Sequence, residues 1–377
     1  MRAVQSLAPG EKISPRAVVT FGCSGGEGHE QVTHAALARR LAALLGFEFF
    51  GTFEDYRDTL PVYYVPRATL CGEKLSAQLK LRCEDDFFGG WVPFDHMATK
   101  AVVHPLVGPD ALAPQGWSHG LAADAKDLTL RGYAAFCAAD ALIAGRELLK
   151  SGPLRLKAIH ADGGRGQRVV ATADELEDAV HSLSGGDGLS DALVLEENLA
   201  EVVTYSVGQV RIGGTVASYC GIQELTTNND GREAYGGSEL LMARGDHEAL
   251  LRLSLPVEMR EAVECAMGFD RLVRMHLPDL IASRRNYDIA SGRAADGQRR
   301  FGVLEQSWRA GGASGAEIAA LEVFAKEPTI NVVRARTVER YGEQPLPPDG
   351  AGVYFRGHDP IEGLLTKYAI VDERIDA

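Results

Sequence analysis

Two groups of residues in this chain have the types and spacing to handle a phosphorylated ligand. The first is Leu156-Lys157-Ala158-Ile159-His160-Ala161-Asp162-Gly163-Gly164-Arg165-Gly166-Gln167. A lysine near the end of a predicted strand offers a positive charge, and Gly163, Gly164 and Gly166 let main-chain N–H groups approach phosphate oxygens without Cβ interference. The lysine precedes the glycines, so this is not the GxxxxGK[ST] phosphate loop. The second group is Asp288 and Glu305, on two predicted strands joined by a turn at Asp296-Gly297. Antiparallel pairing brings two such carboxylates close together on one face. Hard oxygen donors of this kind suit Mg²⁺, which takes one or two protein carboxylates and fills its shell with water and phosphate. Taken separately, the lysine segment reads equally as an ordinary glycine hairpin, and the acids as solvated groups at strand ends.

Strands and turns must hold these groups in place. An apolar run at 17–21 ends in Gly22-Cys23-Ser24-Gly25-Gly26-Glu27-Gly28, and 31–45 then carries Ala and Leu at helical spacing, which predicts strand, turn and helix. A strand at 61–65, a loop at 85–93, a short helix at 95–103 and a helix at 133–150 follow. From 154 the pattern becomes strand (154–159), glycine loop, strand (168–171) and a helix (173–183) with acids in its first turn, where the helix dipole favours them. Beyond it come a short strand at 193–195, an antiparallel pair over 202–219 turning at Gly213-Gly214, and a polar loop at 226–237. A helix at 256–276 and strands at 287–290 and 301–304 complete the reading.

Composition narrows the function. A chain of 377 residues exceeds one ordinary domain, and two to three are expected. Its 45% hydrophobic and 24% charged content is that of a globular protein. The formal net charge is −13 with basic residues scattered, which disfavours nucleic-acid partners and leaves small charged molecules. The longest apolar run, 134–144, is interrupted by Asp140 and falls far short of the ~20 residues of a membrane span. The first fifteen residues carry Glu11 and Lys12 and resemble neither leader nor anchor, so a cytoplasmic location is expected. Cys23, Cys71, Cys83, Cys137, Cys220 and Cys265 form no CxxC pair and read as reduced structural thiols.

In order and combination these parts resemble the ATP-grasp superfamily. Lys157 with its glycine loop, Val194-Leu195-Glu196-Glu197-Asn198-Leu199, Asp288, and Glu305-Gln306-Ser307-Trp308-Arg309-Ala310-Gly311-Gly312 follow that family's layout from about residue 95 to the early 310s. The layout is nearest to its D-alanine:D-alanine ligase and biotin carboxylase branches. The resemblance implies an α+β / α/β fold: an N-terminal α/β domain on the substrate side (1–94), then a first lobe with the glycine loop (95–195) and a second lobe with the metal-binding acids (196–377), both built on antiparallel sheets. ATP and Mg²⁺ are the implied cofactors, and a small-molecule carboxylate and a nucleophile the implied partners. Lys157 looks like the lysine that touches the α- and β-phosphates, and Gly163, Gly164 and Gly166 look like the lid over the triphosphate. Glu196, Glu197 and Leu199 fall at the hinge that holds adenine through main-chain groups. Asp288 and Glu305 match the metal-binding acids. Arg309 matches the arginine that pins a substrate carboxylate or spreads phosphoryl charge.

The chain departs from the family pattern at three positions. Ser307 stands where an asparagine metal ligand is usual. His96 takes the place of the first lysine, with Lys100 one turn further on as the substitute. Thr204 stands where an acid holds the ribose, with Glu201 close by. The implied reaction is carboxylate activation as an acyl phosphate. The alternatives are a nucleotide sensor or scaffold that has lost turnover, or a kinase or carboxylating enzyme of the same fold. A dinucleotide oxidoreductase is disfavoured because residues 22–28 do not fit GxGxxG. Residues 25–28, at a helix N-terminus, suit either a substrate carboxylate, with Glu27, His29 or Glu30 meeting an amine, or simply a tight turn. The 226–238 segment reads as a binding loop that meets the substrate or closes over phosphate through Arg232, or as a mobile surface loop. Of Arg284 and Arg285, strand alternation lets at most one face the site.

Overall fold

The computed structural model describes residues 16–23, 28–160, 166–183, 192–343 and 346–376. The chain begins with β1 (Ala17–Phe21), α1 (His29–Leu45), β2 (Glu48–Thr52), β3 (Val62–Pro66), β4 (Leu70–Cys71), α2 (Glu73–Leu79) and β5 (Gly90–Val92). Two 3₁₀ turns, Asp95–Ala98 and Lys100–Val103, and α3 (His119–Asp124) lead into β6 (Gly132–Ala135), α4 (Ala138–Leu149), β7 (Leu154–Ala158), β8 (Gln167–Val170), α5 (Ala173–Leu183) and β9 (Leu193–Glu197). The remainder comprises β10 (Ala200–Ile212), β11 (Thr215–Thr227), β12 (Glu233–Arg244), α6 (His247–Leu251), α7 (Val257–His276), β13 (Ile281–Ala282), β14 (Arg284–Arg293), β15 (Arg299–Ser307), α8 (Ser314–Lys326), β16 (Val332–Tyr341), β17 (Gly352–Asp359) and β18 (Gly363–Ile375).

Four sheets result. β1 pairs in parallel with β2 and β3, the expected α/β start. A small sheet of order β13-β5-β4 ties the N-terminal part to the C-terminal one. The sheet β6-β9-β7-β8 is antiparallel, and α4 and α5 pack on it. The largest is an eight-stranded antiparallel sheet of order β15-β14-β10-β11-β12-β16-β18-β17. Its two faces are buried differently. Val210, Ala217, Leu240 and Ala335 face α1 and α8, whereas Val207, Cys220, Ala243 and Ile289 face α7. Among the described residues no helix is long and apolar enough to cross a membrane.

Where the elements agree with the sequence, local chemistry explains why. α5 opens on a capping box in which Thr172 Oγ1 accepts the Glu175 N–H at 3.3 Å and Glu175 Oε2 accepts the Thr172 N–H at 3.2 Å. Gly213 and Gly214, with φ of 55° and 78°, make the β10–β11 turn.

Four expectations need correction. The helix placed at 133–150 is a strand and a helix: β6 is claimed by pairing with β9, and helix α4 starts only after Cys137, whose sulfur accepts the Asp140 N–H. The helix at 95–103 is two 3₁₀ turns broken at Thr99. The loop at 85–93 holds β5, with Trp91 and Val92 buried. The polar loop at 226–237 is largely a hairpin in which β11 and β12 pair out to Thr227 and Glu233. Its tip is tied down, because Asn229 Nδ2 donates to the carbonyls of Glu362 and Leu364.

Candidate active site

Lys157 stands on β7 opposite Gln167 of β8, and the hairpin is closed by the Ala158 N–H on the Gly166 carbonyl, with Gly166 at φ 65°. Gly163 and Gly164 lie outside the described residues. The Lys157 ammonium is buried and paired with Glu196 of β9, and His104 Nε2 meets the other oxygen of the same carboxylate at 3.3 Å. Glu196 is 2% exposed. Burial alone would raise its pKa, but the charges of Lys157 and His104 and the hydrogen bonds they make outweigh this and hold it down at about 2. The sequence points to main-chain groups of Glu196, whereas its side chain is what anchors the lysine.

The next two hinge residues are held by their surroundings. The Glu197 N–H donates to the Arg131 carbonyl, and its side chain accepts the Arg131 N–H and lies 3.4 Å from Arg300. Leu199 is buried with Leu130 and Ala290, between the four-stranded sheet and β14. Glu201, a non-glycine residue at φ 52°, turns its carboxylate to Arg293 at 3.2 Å.

Asp288 and Glu305 are register partners across β14 and β15, and the register slips immediately beyond them. That bulge opposes Leu304 and Glu305 to one residue, which lets Leu304 join the apolar cluster around Leu199 while Glu305 faces its partner acid. Asp288 Oδ1 accepts from Ser206 Oγ at 2.9 Å and from Asn286 Nδ2 at 3.0 Å. Burial first, and then the charge of Glu305, push its pKa up. Lys100, itself buried, reaches Glu305 at 3.2 Å. It is placed there because Gln306 Nε2 donates to the carbonyls of Met97 and Thr99, which fastens the 3₁₀ turn to β15. His96 does no such work. It packs among Trp117, Phe94 and Phe136, with ring centroids 5.5 to 6.3 Å away, and burial lowers its pKa, so it stays neutral.

Ser307 lies opposite Asn286 on the face that carries the acids. A Cβ on Gly311 would stand 3.9 Å from Ser307 Oγ and 3.7 Å from an Arg309 nitrogen, so both groups border this glycine. Burial lowers the pKa of His34 on α1, and the charges of Arg67 and Arg309 add to that shift.

Arg284, of the two arginines, turns inward. It is 1% exposed and pairs with Glu317 of α8, which is 0% exposed. It also donates to the carbonyls of Ser307 and Arg309 and to Tyr219 Oη, and Tyr219 in turn donates to Asn286 Oδ1 at 2.9 Å. One buried guanidinium thus fixes both the Arg309 strand end and the amide beside Asp288. Arg284→Met is expected to destabilise the fold by about 3–5 kcal/mol, since Glu317 would remain as an uncompensated buried charge. A denaturant titration checks this. The sequence holds no short-range signal for this network, whose bonds join residues 23 to 67 positions apart.

At the N-terminus of α1, residues 24–27 lie outside the described residues. Gly28 caps the helix, and Asp359 Oδ2 accepts the His29 N–H at 2.6 Å. This bond and those from Ile361 and Glu362 lower the Asp359 pKa to about 2. A carboxylate of the chain itself thus accepts the first N–H of α1, while Gly25, Gly26 and Glu27 of the expected substrate turn lie outside the described residues.

Comparison with known proteins places the fold. The family described as "Protein of unknown function (DUF3182)" matches residues 22–369. The chain belongs to this family. A search of curated protein sequences found no match. Solved structures supply the fold. Biotin carboxylase from Campylobacter jejuni, solved as a β,γ-ATP complex, superposes with a TM-score of 0.54 at 12% identity, over 96% of this chain and 88% of that one. N5-carboxyaminoimidazole synthetase from Staphylococcus aureus, complexed with ADP, gives 0.51 at 12% identity over 95% and 93%. D-alanyl-alanine synthetase A from Vibrio cholerae gives 0.50 at 12% identity over 83% and 98%. This member of the family has the ATP-grasp fold.

Proposed function

We propose that this protein is a cytoplasmic, Mg-ATP-dependent ligase that activates a small-molecule carboxylate as an acyl phosphate for attack by an amine or other nucleophile. Residues 1–94 supply the substrate side, 95–195 cover the nucleotide and 196–377 bring the acids. The observation that carries this reading is the ion pair between Lys100 and Glu305, which joins the turn beside the lysine-bearing sheet to the acids of β14 and β15.

The acids fit a divalent cation. They face each other in register, and burial first and then the Glu305 charge raise the Asp288 pKa, a cost that a cation between the two acids relieves. Among the described residues no group of three or more His, Cys, Asp or Glu side chains is gathered for a metal, so two carboxylates and the Ser307 hydroxyl would hold it. That is the partial shell typical of Mg²⁺ with a nucleotide. Bound there, the ion neutralises charge on the phosphoryl oxygens.

The substrate carboxylate oxygen attacks the γ-phosphorus as the bond to the ADP oxygen breaks. The nucleophile then attacks the acyl carbon, expels phosphate and gives its proton to solvent. Lys157 and Lys100 offset phosphate charge, Glu196 keeps Lys157 in place, and Arg309 holds the carboxylate, so the work is positioning and electrostatics. Screening amino acids, dicarboxylates and amines is expected to find a set that raises ADP release at least about tenfold over ATP alone. A flat screen with MgATP bound would support the second reading, a nucleotide sensor, which Ser307 in place of an asparagine and His96 in place of a lysine favour.

A further inference from the structure

The 3₁₀ turn Lys100–Val103 lies where the four-stranded sheet meets the large one. Ala101 packs with Ala134 and Val194 of the four-stranded sheet, and Val194 is the register partner of Lys157. Val102 and Val103 belong instead to the apolar cluster of Tyr287 and Val303 in the large sheet. The turn is fixed at its start, where Thr99 Oγ1 accepts the Ala101 N–H at 3.3 Å and the Thr99 carbonyl accepts from Gln306 Nε2 at 2.8 Å. Its main chain is therefore held, and any movement there belongs to side chains.

This one turn serves two carboxylates. Lys100 reaches Glu305 at 3.2 Å, and His104, which caps the turn, reaches Glu196 at 3.3 Å. The two acids stand differently toward a nucleotide. Glu196 is met by Lys157 and His104 at once, so it keeps a partner when the Lys157 ammonium turns to a phosphate.

Glu305 is one of the two acids that would hold Mg²⁺, and the Lys100 ammonium already lies on one of its oxygens. A metal bound to the same carboxylate would stand only a few ångströms from that ammonium, because Mg²⁺ sits at about 2.0–2.1 Å from its oxygen ligands. Lys100 is 7% exposed, so water screens little of the repulsion between the two cations. Lys100 thus offsets the charge of the acid pair and at the same time opposes a divalent ion there. Phosphates separate these two effects. An anionic oxygen beside the turn gives the ammonium another partner, and a lysine has a flexible stem on which to swing while its main chain stays in place.

We infer that Lys100 is the resident counter-ion of the acid pair and yields Glu305 to the metal when nucleotide phosphates take up its ammonium, so that metal and nucleotide load together. The inference rests on the ligase reading and adds to it an order of loading. Removing the ammonium then has opposite effects on the two ligands taken singly: metal alone binds more tightly, and nucleotide alone binds less tightly.

The test is Mn²⁺ binding to the full chain without nucleotide, followed by the electron paramagnetic resonance signal of free Mn²⁺. Lys100→Met is expected to bind Mn²⁺ at least about tenfold more tightly than wild type, whereas Lys100→Arg, which keeps the charge, binds it as weakly as wild type. Adding Asp288→Asn and Glu305→Gln to Lys100→Met is expected to abolish the gain. Calorimetry in EDTA with a non-hydrolysable ATP analogue is expected to show Lys100→Met binding about tenfold more weakly than wild type. Lys100→Gln repeats both comparisons with a polar side chain, should the Met variant not fold. No gain of Mn²⁺ affinity in either neutral variant, an equal gain in Lys100→Arg, a gain that survives loss of the two acids, or an unchanged affinity for the analogue would each overturn the inference. Failure of wild type to bind the analogue even with Mg²⁺ would instead overturn the ligase reading on which it rests.

Discussion

Replacing Asp288 by Asn together with Glu305 by Gln is expected to lower substrate-dependent ADP release by at least about three orders of magnitude, and Asp288→Asn alone is expected to leave the apo protein no less stable than wild type. The first half follows from the charge that must be held: with both carboxylates neutral, no anionic oxygen of this pair remains for the cation beside the phosphates. The second follows from the sign of the Asp288 shift. A carboxyl whose folded pKa lies above its ordinary value favours the fold while protonated and loses that contribution as pH rises through the folded value. At neutral pH an ionised Asp288 is therefore a strain on the fold, and Asn keeps an oxygen for Ser206 Oγ. Steady-state ADP release and melting curves of the same preparations separate the two effects, and a variant that turns over at the wild-type rate would contradict the metal assignment. By the same sign, adding Mg²⁺ at neutral pH is expected to raise the wild-type melting temperature, whereas the double variant should not respond.

Glu196→Gln is the second large effect, and here stability is what changes. The carboxylate is the buried counter-charge of Lys157 and also meets His104, so its loss leaves a buried ammonium uncompensated, at a cost of about 3–5 kcal/mol. The pH dependence has a definite direction. A folded pKa of about 2 against an ordinary 4.5 gives stability that is fully present above about pH 4.5 and is lost as pH falls toward 2. That shift corresponds to roughly 3 kcal/mol, in line with the mutational figure. Urea unfolding between pH 6 and pH 3 is expected to show a shallower acid slope in the variant than in wild type. Parallel slopes would mean that Glu196 does not carry this linkage.

A smaller change tests the bulge of β12 at Gly236 and Gly237, where Glu224 opposes Gly237 and Leu225 opposes Tyr235. Gly237→Ala is expected to destabilise the protein by about 1–3 kcal/mol, because the residue sits at positive φ and a Cβ meets backbone at once.

What was legible in the sequence was whatever rests on short-range pattern. The acids of its first turn announce α5, the Gly213-Gly214 turn announces the β10–β11 hairpin, and the turn at Asp296-Gly297 between two strand-like runs puts Asp288 and Glu305 on facing strands. β6 was not legible, since Gly132–Ala135 has the composition of the helix that follows and becomes a strand only by pairing with β9. Likewise, nothing near Arg284 in the chain reveals Glu317, and nothing near Lys157 reveals His104. Nor does anything near His29 reveal Asp359, 330 residues away, which accepts its N–H. The misses share a cause: each was decided by a partner brought in by tertiary packing, and a residue's neighbours in sequence do not encode it.

The central claim is that Lys157 and Lys100 on one side and Asp288 and Glu305 on the other enclose one metal-bound triphosphate. A crystal structure with Mn²⁺ and a non-hydrolysable ATP analogue tests it most directly, because the anomalous signal locates the metal. The account predicts a Mn²⁺ peak between the Asp288 and Glu305 carboxylates, in contact with the phosphates, with Lys157 Nζ at hydrogen-bond distance from a phosphate oxygen. Nucleotide bound elsewhere, or a metal away from these two acids, would contradict it.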